Sequence, residues 1–135
     1  MIAAAVLWVL ASPLFRVTRA NEARPESFSI VVKEGTWKGR DEVHFASGVA
    51  KILSDGGGNY LFRLEDFRVQ NGPDIEFFLS ADATYGPEDV ALGDVPATSG
   101  DYHVGIPAGT DLDAVGYAIV WCVPFGVLFA TAELA

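Results

Sequence analysis

Sulfur and imidazole are scarce in this chain. Of 135 residues, one is cysteine (Cys122), one is methionine (Met1) and two are histidine (His44 and His103). A lone cysteine forms no intramolecular disulfide, and it cannot supply a zinc site built from several cysteines. Counting ligands in this way excludes most familiar metal centres, and no residues are assigned to a dedicated metal site. Positive charge is the second shortage. Nine Lys and Arg face eighteen Asp and Glu, a net charge of −9. Nucleic-acid binders carry clustered basic surface, so no nucleic-acid partner is expected. Catalytic signatures are missing too. Gly56-Gly57-Gly58 is not followed by the Gly-Lys-Ser/Thr of a phosphate loop, and no Gly-x-Ser-x-Gly elbow occurs. Nothing in the spacing brings either histidine to a serine and an acid. After position 20, no stretch of ten residues has helical periodicity.

What is present is a half-hydrophobic chain with a fifth of its residues charged, long enough for about one domain and incompatible with global disorder. Residues 2–15 are uncharged and mostly apolar. As a helix they would span about 21 Å, short of the roughly 30 Å hydrocarbon core. Only Met1 precedes them, and Arg16, Arg19 and Arg24 follow. Three readings stand: the tail of a longer membrane anchor, a short signal or signal-anchor, or an apolar helix packed on the domain. The first two place the rest outside the cytoplasm, on the periplasmic or cell-surface side, secreted or anchored by this segment alone. The division expected is an anchor or signal over residues 1–20, a linker over 21–27 and a β-domain over 28–135. Without residues 1–20 the chain has seven basic and eighteen acidic groups, a net −11. Such a domain is soluble and is repelled by anionic surfaces.

Beyond the linker the period is two. Phe28, Ile30 and Val32 alternate, predicting a strand with one buried face that Glu34-Gly35-Thr36 breaks. Gly48–Leu53 is a strand, Asp55–Asn59 a glycine-rich hairpin tip, and Tyr60, Phe62 and Leu64 mark the return. Asp66–Val69 is a second short element. Asn71-Gly72-Pro73-Asp74 is a turn in which Asn and Gly accept positive φ. Ile75–Ser80 is a central apolar strand. Residues 81–101 form a long acidic loop with one short strand near Val90–Leu92. His103–Ile106 is extended, Pro107–Asp113 turns, and Val115–Cys122 and Phe125–Leu134 are the last strands. Short strands spaced by Gly, Pro and Asp turns predict an antiparallel β-sandwich or flattened barrel, preceded by the apolar N-terminal helix.

Four stretches stand in a telling order. Gly35-Thr36-Trp37 is followed by His44 to Ala50, then by Leu61-Phe62-Arg63-Leu64-Glu65-Asp66-Phe67 leading to Asn71-Gly72-Pro73-Asp74-Ile75 and Phe78-Leu79-Ser80. Last come Ala118-Ile119-Val120-Trp121-Cys122, Phe125 to Phe129 and Ala132. From about residue 28 to its end the chain resembles a DM13 domain, a family described as an electron-transfer module. Ser12-Pro13-Leu14-Phe15 and Glu22 resemble the linker after the anchor in bacterial members. The resemblance implies a secreted or membrane-tethered β-sandwich. It also implies a singled-out cysteine, carried over as Cys122, with redox chemistry as a bare thiol or as a ligand to a prosthetic group. One departure is visible: Val104-Gly105 stand where an aromatic is expected shortly before Ile106-Pro107, with Tyr102 displaced.

Two expectations about chemistry follow. Cys122 ends a strand on the face of the small residues Ala118 and Val120, which leaves room for tight packing or for a bound group. Free cysteine often behaves as a small buried hydrophobe. Reactive thiolates draw on a nearby cation or helix N-terminus, and no Lys or Arg lies within ten residues of Cys122. His44, at a family position in a strand or strand edge, is the best partner for Cys122. Together they would ligate copper, iron or haem, with His103 as the second histidine that copper electron transfer needs; a bare thiol is the equal alternative. Asp66, Asp74, Glu88-Asp89 and Asp111-Asp113 read as turn caps or as oxygen ligands for a cation. Trp37, Trp121, Tyr60 and Tyr117 read as core or as a stacking surface. The chain is expected to be a carrier or accessory module acting with a redox protein partner, rather than a turnover enzyme. The alternative is a cell-envelope binding or structural domain with an inert Cys122.

Overall fold

The computed structural model describes residues 18–135, so the apolar helix expected before residue 18 lies outside the described residues. Nine strands follow: β1 (Arg19–Asn21), β2 (Ile30–Gly39), β3 (Ala46–Ser54), β4 (Tyr60–Val69), β5 (Ile75–Ser80), β6 (Val90–Asp94), β7 (Ser99–Gly105), β8 (Tyr117–Cys122) and β9 (Val127–Glu133). A single 3-10 turn, Leu112–Ala114, is the only helical piece among the described residues, and none of these is in a helix able to cross a membrane. Residues 19–21 pair in parallel with β7, and every other pairing is antiparallel.

The all-β expectation holds, but the two sheets of a sandwich are one sheet. Its order is β1-β7-β4-β3-β2-β9-β8-β5-β6, curled into a half-barrel. Strand β2 is the seam. Its first part, Ile30–Thr36, pairs with β3, and its last part, Trp37–Gly39, pairs with β9. The predicted break at Glu34-Gly35-Thr36 is therefore not a strand end. It is the point where the strand changes partners. Gly35 is needed there because a Cβ would lie 1.8 Å from the Glu133 carbonyl oxygen. The expected buried face at Phe28, Ile30 and Val32 is also corrected. Ile30 is 50% exposed, because β9 does not extend along this end of β2 and the register slips between Val31 and Lys33.

Other differences have local causes. Asp66–Val69 is the end of β4, continued across a bulge in which Asp66 takes a φ of 51°. In the turn after β4, positive φ falls on Asp74 (87°), not on Asn71 or Gly72. Gly72 meets a different demand: a Cβ there would come within 2.9 Å of the Phe129 ring. The acidic 81–101 region contains all of β6 and the start of β7.

The inner surface of the curl is filled with aromatic rings, which bury large areas and favour edge-on and tilted packing. Trp37 of β2 lies 5.6 Å from Phe67 and 6.1 Å from Phe77, and Phe62 meets Phe77 at 5.3 Å. The β4 and β5 halves of the sheet thus touch through these rings. Tyr102, the displaced aromatic, completes the cluster and donates its hydroxyl to the Ala97 carbonyl at 2.6 Å.

Candidate functional site

Alternation along β8 sends Ala118, Val120 and Cys122 inward and Ile119 and Trp121 outward. Cys122 is 1% exposed and belongs to the apolar core. Its cross-strand partners are Ile75 of β5 and Val127 of β9. Neither adjacent strand carries Lys or Arg, and among the described residues no hydrogen bond reaches the sulfur. The small face of β8 is met by the packed interior: Val120 pairs with Phe77, and Ala118 with Ala132.

His44 is not on a strand. It sits in the loop between β2 and β3, and that loop is built by Asp41. One Asp41 carboxylate oxygen accepts the Val43 and His44 backbone N–H groups at 2.9 and 2.7 Å, and the carboxylate pairs with His44 Nδ1 at 2.9 Å. The His44 side chain and backbone bonds hold the Asp41 carboxyl at about 2. The imidazole rests on Phe129, centroids 5.0 Å apart. Phe129 belongs to the core cluster that contains Cys122, so His44 lies on the rim of that core with its Nδ1 engaged. No hydrogen bond joins His44 to Cys122. His103 is on β7, in the other half of the sheet, with Nδ1 3.3 Å from Arg63 Nη1. The three candidate ligands do not converge. Among the described residues, no trio of ligating atoms includes Cys122 or either histidine. With apolar cross-strand partners and no second ligand, the surroundings of Cys122 do not fit a haem or copper group.

The motif residues have structural duties that the sequence does not disclose. Leu64 and Phe67 fill the core. Glu65 accepts from Lys51 at 2.6 Å, and from Arg63 and Arg24 at 3.3 Å each. Burial opposes its ionisation, but these partners prevail and hold its carboxyl at about 2. Lys51, Arg63 and His103 form a lateral row across β3, β4 and β7, visible only once register is known. Asp66 donates its N–H to Asp101 at 2.7 Å. Asp111 and Asp89 accept backbone N–H groups within their own turns, as caps.

Two groupings on the outer side of the β5–β8 half escaped the sequence reading. The carboxylates of Asp74, Glu76 and Asp94 have oxygens within 4.8 Å of one another. Burial first, then Asp74 and Asp94, push the Glu76 carboxyl up. Beside them, Trp121 stacks on Tyr85 at 4.3 Å and 7°, and Phe78 meets Tyr85 edge-on at 4.9 Å. Trp37 is buried in the core, so the two tryptophans do not share a surface. A cleft of about 820 Å³ lies elsewhere, lined by Arg19, Ser47, Arg68, Asn71 and Thr98 among others, and does not reach Cys122.

A family model described as electron transfer DM13 matches residues 39–134. No curated protein and no solved structure matches the chain.

Proposed function

The chain belongs to the DM13 family, and from that premise we propose an electron-transfer module working outside the cytoplasm, held or exported by its apolar residues 2–15, with Cys122 as its redox group. The observation that carries this reading is position. The sole sulfur of residues 18–135 lies immediately behind Trp121, whose ring is stacked on the exposed Tyr85. The closed fold shields Cys122 from direct attack. In thiol–disulfide exchange the Cys122 thiolate would attack a disulfide of the partner, forming a mixed disulfide and releasing the partner's second sulfur as a thiolate, so the reaction requires the end of β8 to open.

A second reading has its own support. Cys122 is 1% exposed, without a cation or polar partner among the described residues, as an inert packing residue would be. The chain is then a non-catalytic envelope module.

One pair of measurements separates the two: thiol titration in native buffer and in urea, and film voltammetry of wild type and Cys122→Ser. A voltammetric wave lost in the variant, with the strand signature intact in circular dichroism, supports the redox reading. A thiol that titrates only in urea, with identical voltammograms, refutes it and leaves the envelope module.

A further inference from the structure

We propose that the outer face at the β8–β9 turn is a docking surface for a lysine-rich partner protein with an apolar contact patch. The apolar element is unusually open. Tyr85, Val123 and Phe125 are 40%, 43% and 70% exposed. Trp121 sits among them, half-buried, with Tyr85 stacked on one side and the turn folding back against its ring at Gly126. Single exposed hydrophobes need no explanation, but an open aromatic stack followed by a turn with two exposed apolar side chains marks an interaction site.

The charge beside the patch selects the partner. Register places Glu76 of β5 opposite Trp121 of β8, and Asp94 of β6 opposite Glu76. Asp74 is tied to the same turn, its carbonyl accepting the Val123 N–H at 3.1 Å. Three carboxylates thus border the aromatic patch directly, close enough to repel one another. Nothing in the strands around them offsets this. Ten of the eighteen acidic residues lie after Arg68 and none of the nine Lys and Arg does. Hence β5, β6, β8 and β9 carry no basic residue. A rim of lysines around an apolar centre complements this face in both respects. Opposite charge of this kind steers association and sets its salt dependence. That the partner is a redox protein rests on the electron-transfer reading; its basic and apolar chemistry does not.

The test titrates the full ¹⁵N-labelled chain with a small lysine-rich c-type cytochrome at low salt, with an acidic cytochrome of similar size as comparison. Expected shift changes centre on the Trp121 indole, Tyr85, Glu76, Asp94 and residues 123–126. Phe125→Ser weakens binding about tenfold or more. Glu76→Gln with Asp94→Asn weakens it several-fold and flattens the salt dependence, while Asp55→Asn, on the β3–β4 turn, has no effect. Absence of binding, shifts elsewhere, or equal binding of the acidic cytochrome overturns the proposal. Shifts at Phe125 that track the chain's own concentration also overturn it, in favour of a second copy. Cys122→Ala separates the two readings. Docking that survives this change stands even if Cys122 shows no redox signal. Docking that is absent while the Cys122 signal persists removes this surface alone.

Discussion

Gly35→Ala strikes the seam of the half-barrel. The new Cβ would sit 1.8 Å from the Glu133 carbonyl oxygen and 2.8 Å from its carbon. Both are backbone atoms, so no side-chain rotation relieves the overlap, and β2 and β9 must part. The bonds at risk are the two that Glu34 and Ala135 exchange at 3.1 Å, and the neighbouring pairing of Trp37 with Ala132. Two lost hydrogen bonds cost about 1–3 kcal/mol net. Displacing Trp37 from the aromatic cluster adds a share of the roughly 3–5 kcal/mol that aromatic truncation costs in cores. The expected loss is at least about 3 kcal/mol, a large part of a small domain's stability. The control is Gly105→Ala at the end of β7, where no atom lies within 4 Å of the added methyl group and φ is not positive. It should be neutral or stabilising by up to about 1 kcal/mol. Urea unfolding followed by tryptophan fluorescence and circular dichroism, at unchanged m value, measures both. A Gly35→Ala protein within about 1 kcal/mol of wild type would refute the seam as drawn.

Further outcomes follow from the charged groups and the core. Glu65 ionises at about 2 in the fold against an ordinary 4.5, so its contribution is complete above about 4.5 and is lost as pH falls toward about 2. After screening it is on the order of 1–2 kcal/mol, and a Glu65→Gln urea series should lack that acid limb. Glu76 is shifted the other way by burial and its carboxylate neighbours. It destabilises the fold once ionised, so Glu76→Gln should raise the urea midpoint at neutral pH and not well below the carboxylate range. The Lys33 ammonium donates to the Leu112 and Val115 carbonyls. Lys33→Met should cost about 1–3 kcal/mol and speed amide exchange of Val115 and Gly116. Cys122→Ser should cost about 1–2 kcal/mol from burying a hydroxyl, and an unchanged midpoint would show that the site is not apolar.

Much was legible in the chain because it depends on neighbours in sequence. The Gly56-Gly57-Gly58 tip, the two alternating faces of β8 and the alternation of β4 follow from turn chemistry and a period of two. The charge division at Arg68 is likewise written in the sequence. What it could not show was partnership between distant strands. Glu34-Gly35-Thr36 reads as a break because glycine interrupts strand propensity, yet it is where β2 passes from β3 to β9. His44 reads as a partner for Cys122 because both are rare ligands, yet Asp41 holds it on the rim beyond Phe129. Glu65 is a motif letter until register sets Lys51 and Arg63 beside it, and Glu76 until Trp121 and Asp94 flank it. Local backbone preference and side-chain period are properties of the sequence alone. Register, curl and the burial of each face arise from contacts between segments far apart in it, and those the tertiary structure decided.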